Sequence, residues 1–273
     1  MVKIIDGKKI AEKIKTKIAK EIFKLEGLRP NLAIILVGER EDSKLYVSLK
    51  EREAKAVGVD TNLYCLTKDV KEEELFQVID FLNNDETIDG ILLQLPLPSG
   101  LDADKAIKKI NPLKDVDGFH PDRPEYIVSP VLAAVKASLE NTEINFKKKS
   151  ACLMYNSEVF GGALKDFLIK LGVTDFLPIK ESAKADLIIT ALGKPETIKN
   201  KDVKEGVVII DISIVKVEGK VKGDVCLAEV KNKAAFITPV PGGIGPMTIA
   251  FLLKNVLDVF KIKQEKNKNL NDK

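Results

Sequence analysis

The segment Asn31–Gly38, NLAIILVG, is the clearest indication of the fold class. It is a short, continuous apolar run rich in β-branched residues, which is typical of a strand buried on both faces of a sheet. Before it, residues 8–25 place isoleucines four apart with lysines between them, the pattern of an amphipathic helix. After it, capping residues predict a helix over 42–56. A buried strand between two helices indicates a parallel sheet with crossover helices.

The same alternation extends in both directions along the chain. Strands are predicted at 61–66 and 90–98, with a helix at 71–83 between them. Residues 111–130 are rich in Pro, Asp and Gly, so we expect a long functional loop or an interdomain segment there. Beyond it the sequence predicts helices at 131–140, 159–171 and 246–262, and strands at 150–155, 175–179, 185–193, 206–212 and 234–240. The chain is therefore expected to form two α/β units.

Composition excludes several classes of function. The 273 residues carry a net charge of only +3 beside 41 acids, which argues against nucleic-acid binding. No run approaches 18 apolar residues and the N-terminus does not resemble a signal peptide, so we expect a cytoplasmic protein without membrane contact. The single histidine, His120, excludes a multi-histidine metal site, and no metal is expected. Cys65, Cys152 and Cys226 are too widely spaced for a disulfide framework or a zinc site.

Tyr46 and Lys50 lie four residues apart on the predicted helix 42–56, so they share a face. An amine beside a phenol can transfer protons if burial lowers its pKa, and the ring can stack on a flat substrate. The same spacing is typical of an exposed pair on a helix surface. Both interpretations stay open at this point.

Gln94 lies near the C-terminal end of the apolar run GILLQLPLP at 90–98. Ligands gather outside the carboxyl ends of parallel strands, which favours a binding role for this amide. The alternative is a polar residue that is satisfied at the end of a strand.

Two glycine- or aspartate-rich stretches are further candidates. KDVDG at 114–118 holds Asp115 and Asp117, and a carboxylate can bind a pair of neighbouring N–H donors in bidentate fashion. An Asx-turn or loose cation binding would give the same pattern. PVPGGIGPMT at 239–248 follows a predicted strand and precedes a helix, and its glycines let the backbone approach a ligand closely. We expect this second stretch to be functional.

These motifs occur together in an order that resembles one family. The set comprises Ser43-x-x-Tyr46-Val-x-x-x-Lys50, GILLQLPLP, NPLKDVDGFHP, ALGKP, GDV at 223–225 and TPVPGGIGPMT. It resembles the bifunctional methylenetetrahydrofolate dehydrogenase/cyclohydrolase family, the FolD proteins, over about residues 4 to 258. The resemblance implies oxidation of 5,10-methylenetetrahydrofolate with NADP and hydrolysis of the methenyl product to 10-formyltetrahydrofolate.

The resemblance also implies an architecture of two α/β domains flanking a cleft. Residues 1–121 would form an N-terminal folate and catalytic domain, completed by a C-terminal helix at 247–265. Residues 122–246 would form a Rossmann-like dinucleotide-binding domain, and 266–273 a disordered tail. The protein would be a homodimer formed through the dinucleotide domain, with tetrahydrofolate derivatives as its partners.

Residue roles follow from the same resemblance. Lys50 would be the central catalytic residue, poised by Gln94, with Tyr46 lining the folate. The substrate would be held by Asp117, Asp115, Ser43, Pro241, Gly242 and Gly243. The dinucleotide would be contacted by Asn156, Ser157, Lys180, Ser182, Gly193, Ile214 and Thr248.

The departures from the family pattern lie in the second domain. The Gly and Arg of the family's GRS-x-x-VGxP turn are absent at 155–157, and Ser213 stands where a glycine of the DxG turn is expected. No arginine follows Arg123, so Lys180 would supply a point charge for the 2′-phosphate of NADP. Glu181 could instead favour NAD. The alternatives are therefore a cyclohydrolase without redox activity or a non-redox folate-binding protein.

Overall fold

Strands and helices alternate along most of the chain in this computed structural model, which describes residues 2–271. The helices are α1 (Gly7–Phe23), α2 (Glu41–Val57), α3 (Glu72–Asn84), α4 (Ala103–Lys109), α5 (Pro130–Glu140), α6 (Glu158–Lys170), α7 (Leu227–Val230) and α8 (Ile244–Asn271). The strands are β1 (Lys3–Ile4), β2 (Asn31–Val37), β3 (Asp60–Leu66), β4 (Gly90–Leu93), β5 (Ser150–Tyr155), β6 (Asp175–Leu177), β7 (Leu187–Ala191), β8 (Val208–Asp211), β9 (Val215–Val217), β10 (Lys220–Lys222) and β11 (Phe236–Ile237). The predicted pair of α/β units is confirmed.

The first unit, here called the three-stranded unit, comprises Glu12–Pro130 and the residues from Ile249 onward. Its parallel strands lie in the order β3-β2-β4. Alternate residues of β2 point to opposite faces, so Leu32, Ile34 and Leu36 pack with α1, α2 and α8. Ala33, Ile35 and Val37 pack with α3 and α4 on the other face. This double burial explains the continuous apolar run from which the fold class was predicted.

The second unit, the six-stranded unit, comprises the residues up to Ala11 and Val131–Thr248. Its parallel sheet has the order β1-β11-β8-β7-β5-β6. The antiparallel hairpin of β9 and β10 follows β8. Because β6 and β7 lie on opposite sides of β5, the direction of winding reverses between β5 and β7, as in doubly wound dinucleotide-binding sheets.

Three features differ from the predicted domain boundaries. Residues 3–4 form β1, which pairs with β11, so the N-terminal segment belongs to the six-stranded unit rather than to the first domain. The other boundary lies after Pro130 instead of after residue 121. Helix α8 continues to Asn271, where a disordered tail was predicted over 266–273; positions 272–273 lie outside the described residues. A two-residue strand carries too little pattern to be recognised, because its pairing depends on a partner more than 230 residues away.

The helices of residues 2–271 include none that is long and apolar enough to cross a membrane.

Candidate active site

The winding of the three-stranded unit reverses between β2 and β4, and Gln94 follows β4 at this point. Its backbone N–H donates to the carbonyl of Ile35 at 2.9 Å, which extends the ladder by one residue. The side chain is almost buried, with 9% exposure. Gln94 thus lies at the end of a strand, the position that both interpretations share, and its amide lies where open α/β sheets bind ligands.

Lys50 lies on the buried face of α2. The apolar residues of this face, Val47, Ala54 and Val57, recur at helical spacing, and Lys50 takes the position between them. Its Nζ donates to Oε1 of Gln94 at 2.8 Å. The Nε2 of Gln94 donates to the carbonyl of Leu95 at 2.7 Å, so the orientation of the amide is fixed with its oxygen toward the lysine.

Burial lowers the pKa of the Lys50 amine, and the nearby carboxylate of Asp117 opposes this shift only in part. No ion pair joins the two side chains in the described part of the chain. A lysine in this environment reaches its neutral form more easily than one on the surface, so it can accept a proton. Of the two interpretations of the Tyr46 and Lys50 pair, the exposed one is therefore wrong for Lys50.

Tyr46 and Ser43 precede Lys50 on α2, at spacings of four and seven residues that keep them on one side of the helix. Tyr46 is half-buried, and burial raises the pKa of its phenol, with a smaller contribution from Asp42. The ring therefore stays protonated and presents an apolar face with a polar tip. Ser43 is 3% exposed. The structure thus brings Lys50 and Gln94 into direct contact and leaves Tyr46 one turn away.

Asp117 lies after α4, in the segment 111–130 for which a functional loop or an interdomain segment was predicted. It is half-buried, and none of residues 2–271 donates a hydrogen bond to its carboxylate. Burial raises the pKa of Asp117 to about 6, with Lys50 lowering it and Asp115 raising it. At neutral pH the group is mainly a carboxylate with both oxygens available to a ligand.

Asp115 has a different role from the one implied by the resemblance. It is 2% exposed, and its oxygens accept hydrogen bonds from the N–H groups of Gly118 at 3.2 Å and of His120 at 2.6 Å. The carboxylate is occupied in folding the loop around Asp117. Of the two open interpretations, a turn-forming role describes Asp115, whereas Asp117 keeps the ligand-binding one.

Asn255 of α8 was not predicted, although it interrupts an otherwise apolar helix face. Its side chain is 5% exposed, and Nδ2 donates at 2.8 Å to the carbonyls of both Val116 and Val128. The first of these carbonyls directly precedes Asp117. A polar residue inside an apolar stripe was the available signal, since buried amides are retained where they satisfy other buried groups.

His120 is structural. Its Nδ1 accepts from the N–H of Asp122 at 3.0 Å, and its Nε2 lies 3.2 Å from the carbonyl of Lys108. Both ring nitrogens are thus used by backbone groups, one in the loop and one in α4, which fixes the tautomer with the proton on Nε2.

In the six-stranded unit, several predicted cofactor residues lie together at the C-terminal ends of β5, β7 and β8. Nδ2 of Asn156 donates to the carbonyl of Leu192 at 3.2 Å. This hydrogen bond joins the loops after β5 and β7, the two strands between which the winding reverses. Ser157 caps α6 by accepting from the N–H of Phe160 at 3.4 Å. Gly193 follows β7 with φ of +67°, a conformation that favours glycine.

The remaining predicted cofactor residues divide into accessible and inaccessible ones. Lys180 and Ile214 are exposed. The hydroxyl of Thr248 donates to the carbonyl of Gly245 at 2.7 Å within α8. Ser182 is only 5% exposed in a short 3-10 helix, which argues against the predicted ligand contact because its side chain packs inward.

The glycine-rich loop that contains Pro241, Gly242 and Gly243 lies between β11 and α8. Gly242 has φ of +104°, and its carbonyl accepts from the N–H of Lys8 at 3.1 Å. A Cβ on Gly7 would lie 1.9 Å from the carbonyl oxygen of Gly243. The start of α1 therefore packs directly on this loop, and Gly7 is a second residue that the sequence analysis missed.

Known proteins resemble the chain over nearly its whole length. Residues 5–117 match the family model for the catalytic domain of tetrahydrofolate dehydrogenase/cyclohydrolase, and residues 130–264 match the model for its NAD(P)-binding domain. The bifunctional protein FolD of Geotalea daltonii is 41% identical over 278 residues, which cover 96% of this chain and 99% of that protein.

Two solved structures agree with these matches. The bifunctional FolD methylenetetrahydrofolate dehydrogenase/cyclohydrolase from Campylobacter jejuni gives a TM-score of 0.91 at 35% identity, covering 96% of this chain and 100% of that one. The FolD enzyme of Trypanosoma brucei, solved with NADP cofactor and an inhibitor, gives 0.89 at 30% identity, with 96% and 98% covered.

Proposed function

The chain belongs to the tetrahydrofolate dehydrogenase/cyclohydrolase family, and on that premise we propose how its residues divide the work. The protein is a bifunctional enzyme of one-carbon metabolism. It oxidises 5,10-methylenetetrahydrofolate with NADP and hydrolyses the methenyl product to 10-formyltetrahydrofolate. The folate is bound and converted by Lys50, Gln94, Tyr46 and Asp117. The dinucleotide binds at the C-terminal ends of β5, β7 and β8.

Asp117 binds the pterin. A carboxylate accepts hydrogen bonds from the 2-amino group and the N3–H of a pterin in bidentate geometry, and such charge-assisted bonds are short and strong. The carboxylate of Asp117 has no hydrogen-bond donor among residues 2–271, so both oxygens are free for this contact. Tyr46 supplies an apolar face against which a flat ring system can lie.

Lys50 carries the hydrolysis. Its neutral amine accepts a proton from water as the oxygen bonds to the methenyl carbon. The amine returns that proton to the ring nitrogen whose bond to this carbon breaks, and the second water proton is released to solvent. Gln94 holds the amine at the position from which both transfers occur, since its oxygen accepts one of the Nζ hydrogens at 2.8 Å.

The edge of the six-stranded unit fits a dinucleotide. A Cβ on Gly193 would have only Nδ2 of Asn156 within 4 Å, at 3.8 Å, which leaves open space above the loop. The N-terminus of α6, capped by Ser157, favours a pyrophosphate. Lys180 offers a positive charge for a 2′-phosphate. NADP supplies the hydride acceptor when bound.

The observation that carries the assignment is the half-buried lysine hydrogen-bonded to Gln94 at the end of a parallel strand. Its test compares Lys50→Met with Lys44→Met, because Lys44 lies exposed on the same helix. Hydrolysis of methenyltetrahydrofolate should fall by about 10²- to 10⁴-fold in the first variant and stay unchanged in the second. Equal hydrolysis in the wild type and Lys50→Met would remove the role assigned to Lys50.

The redox half is tested by incubating the wild type with methylenetetrahydrofolate and either NADP or NAD while methenyl formation is followed. If neither nucleotide supports oxidation while methenyltetrahydrofolate is hydrolysed rapidly, the protein is a cyclohydrolase without redox activity. The homodimer and the cytoplasmic location stay predictions, and the first can be measured by light scattering on the purified protein.

A further inference from the structure

A buried carboxylate anchors the loop that follows β7. Asp224 is fully buried, and its Oδ2 accepts hydrogen bonds from Oγ1 of Thr190 at 2.6 Å and from the N–H of Leu192 at 2.7 Å. Its Oδ1 accepts from the N–H of Lys194 at 2.7 Å. Asp224 thus holds both ends of the three-residue loop 192–194.

Ser213 completes this anchor from the neighbouring strand end. Its hydroxyl donates to Oδ2 of Asp224 at 2.6 Å and accepts from the N–H of Gly193 at 3.0 Å. Three consecutive N–H groups of the loop are therefore bound inward, two by Asp224 and one by Ser213. The loop conformation is set before any ligand arrives. Ser213 stands where a glycine of the family's DxG turn is expected, and a glycine has no hydroxyl to form this link.

A second carboxylate, that of Asp211, holds the turn after β8 to the segment that contains Asp224. Asp211 is 2% exposed and accepts from the N–H groups of Ser213 at 3.1 Å and Val225 at 2.9 Å. A Cβ on Gly223 would lie 2.1 Å from its Oδ2, so the backbone beside Asp224 packs closely on this group. The turn after β8 and the segment 223–225 are thereby held together.

We propose that Asp224, acting partly through Ser213, is a positioning residue for the dinucleotide. It holds Gly193 and the loop 192–194 in the conformation that the cofactor meets, without touching the cofactor itself. A loop ordered in advance loses less conformational entropy on binding, so affinity for the dinucleotide depends on this network. The inference rests on the proposed function, because it takes the edge at β7 as the dinucleotide site.

Asp186 offers a matched control at the opposite end of β7. Its carboxylate accepts from the N–H of Ser150 at 2.9 Å, from the hydroxyl of Ser150 at 3.1 Å and from Nζ of Lys204 at 2.8 Å. It accepts three hydrogen bonds where Asp224 accepts four, but it braces the strand end away from the loops. Loss of either carboxylate should weaken the six-stranded unit, whereas only loss of Asp224 should affect the dinucleotide.

The experiment compares Asp224→Asn, Ser213→Ala, their double variant and Asp186→Asn. An asparagine at 224 turns an NH₂ group toward N–H donors, which breaks at least one loop contact. We expect the KM for NADP to rise about 5- to 10-fold in Ser213→Ala and at least tenfold in Asp224→Asn. The double variant should raise it by less than the product of the two, since both act through one network. Hydrolysis of methenyltetrahydrofolate by the same preparations should stay within about twofold.

An unchanged KM for NADP in Ser213→Ala would overturn the proposal, and this variant decides the matter if Asp224→Asn does not fold. An equal rise of the KM for NADP in Asp186→Asn would show that the effect is general destabilisation, and so would a parallel loss of hydrolysis in the Asp224 and Ser213 variants. Either result would also overturn the proposal. Calorimetric titration with NADP separates the proposal from the proposed function. A wild type that binds NADP without oxidising the folate contradicts the redox activity alone, and one that does not bind NADP overturns both.

Discussion

Replacement of Asn255 by leucine removes two of the hydrogen bonds that hold the loop around Asp117. The carbonyl of Val116 is buried and that of Val128 is partly buried, and each loses its donor at 2.8 Å. An unsatisfied buried carbonyl costs about 1–3 kcal/mol and a partly exposed one about 0.5–1.5 kcal/mol. Leucine has as many side-chain heavy atoms as asparagine but no hydrogen-bond donor, so both carbonyls stay unpaired and we expect a net loss of about 2–3 kcal/mol of unfolding free energy.

Loss of these two hydrogen bonds should also weaken binding of the folate substrate. Since the Val116 carbonyl adjoins Asp117, a loosened loop misplaces the carboxylate, and the KM for methenyltetrahydrofolate should rise more than kcat falls. Urea denaturation and steady-state hydrolysis measure the two effects. Lys254→Ala serves as the control, because Lys254 is the preceding residue of α8 and pairs with Asp258 on its exposed side. A change below about 0.5 kcal/mol in Asn255→Leu, together with an unaltered KM, would show that Asn255 does not hold this loop.

Three further predictions concern charge and packing. Because the pKa of Asp117 is raised to about 6, its carboxylate is lost as the pH falls through that value, so kcat/KM for hydrolysis should drop toward about tenfold per pH unit below it. The Asp117→Asn variant should have a low kcat/KM for hydrolysis at every pH, and its pH-rate profile should lack the fall below about pH 6. A fall that persists in this variant would contradict the assignment of the titrating group to Asp117. Gly7→Ala should lower the melting temperature measured by calorimetry, because its Cβ overlaps the carbonyl of Gly243, whereas Gly162→Ala meets nothing within 4 Å and should be neutral or stabilising. Lys180→Met should raise the KM for NADP while leaving that for NAD unchanged, and equal effects on both would exclude a contact with the 2′-phosphate.

The departures from the family turn at 155–157 have a visible consequence in the packing of α6. A Cβ on Gly161 would lie 2.2 Å from the ring of Tyr155, so the ring lies directly over the first turn of this helix. A tyrosine at the end of β5 is thus accommodated by a glycine six residues later. The third glycine of the common dinucleotide fingerprint has the same function, since it allows a strand and a helix to pack closely.

Local patterns in the chain were enough to predict the helices and strands, and the family resemblance of its motifs supplied the folate chemistry. Hydrophobic periodicity is a local property, so the buried strand 31–37 and the helices around it could be predicted from their own residues. The spacing of Tyr46 and Lys50 placed them on one face for the same reason. It could not decide whether that face was buried, because burial depends on what packs against it.

Contacts between residues that are distant in sequence became visible only in the folded chain. Lys50 meets Gln94 across 44 residues and Asn255 reaches Val116 across 139, and neither separation leaves a periodic trace. The structure likewise distinguished Asp115, whose oxygens bind backbone N–H groups, from Asp117, whose oxygens are free for a ligand. The physical reason is that a polar group's role depends on which donors and acceptors surround it, and strand order and helix packing bring those groups together.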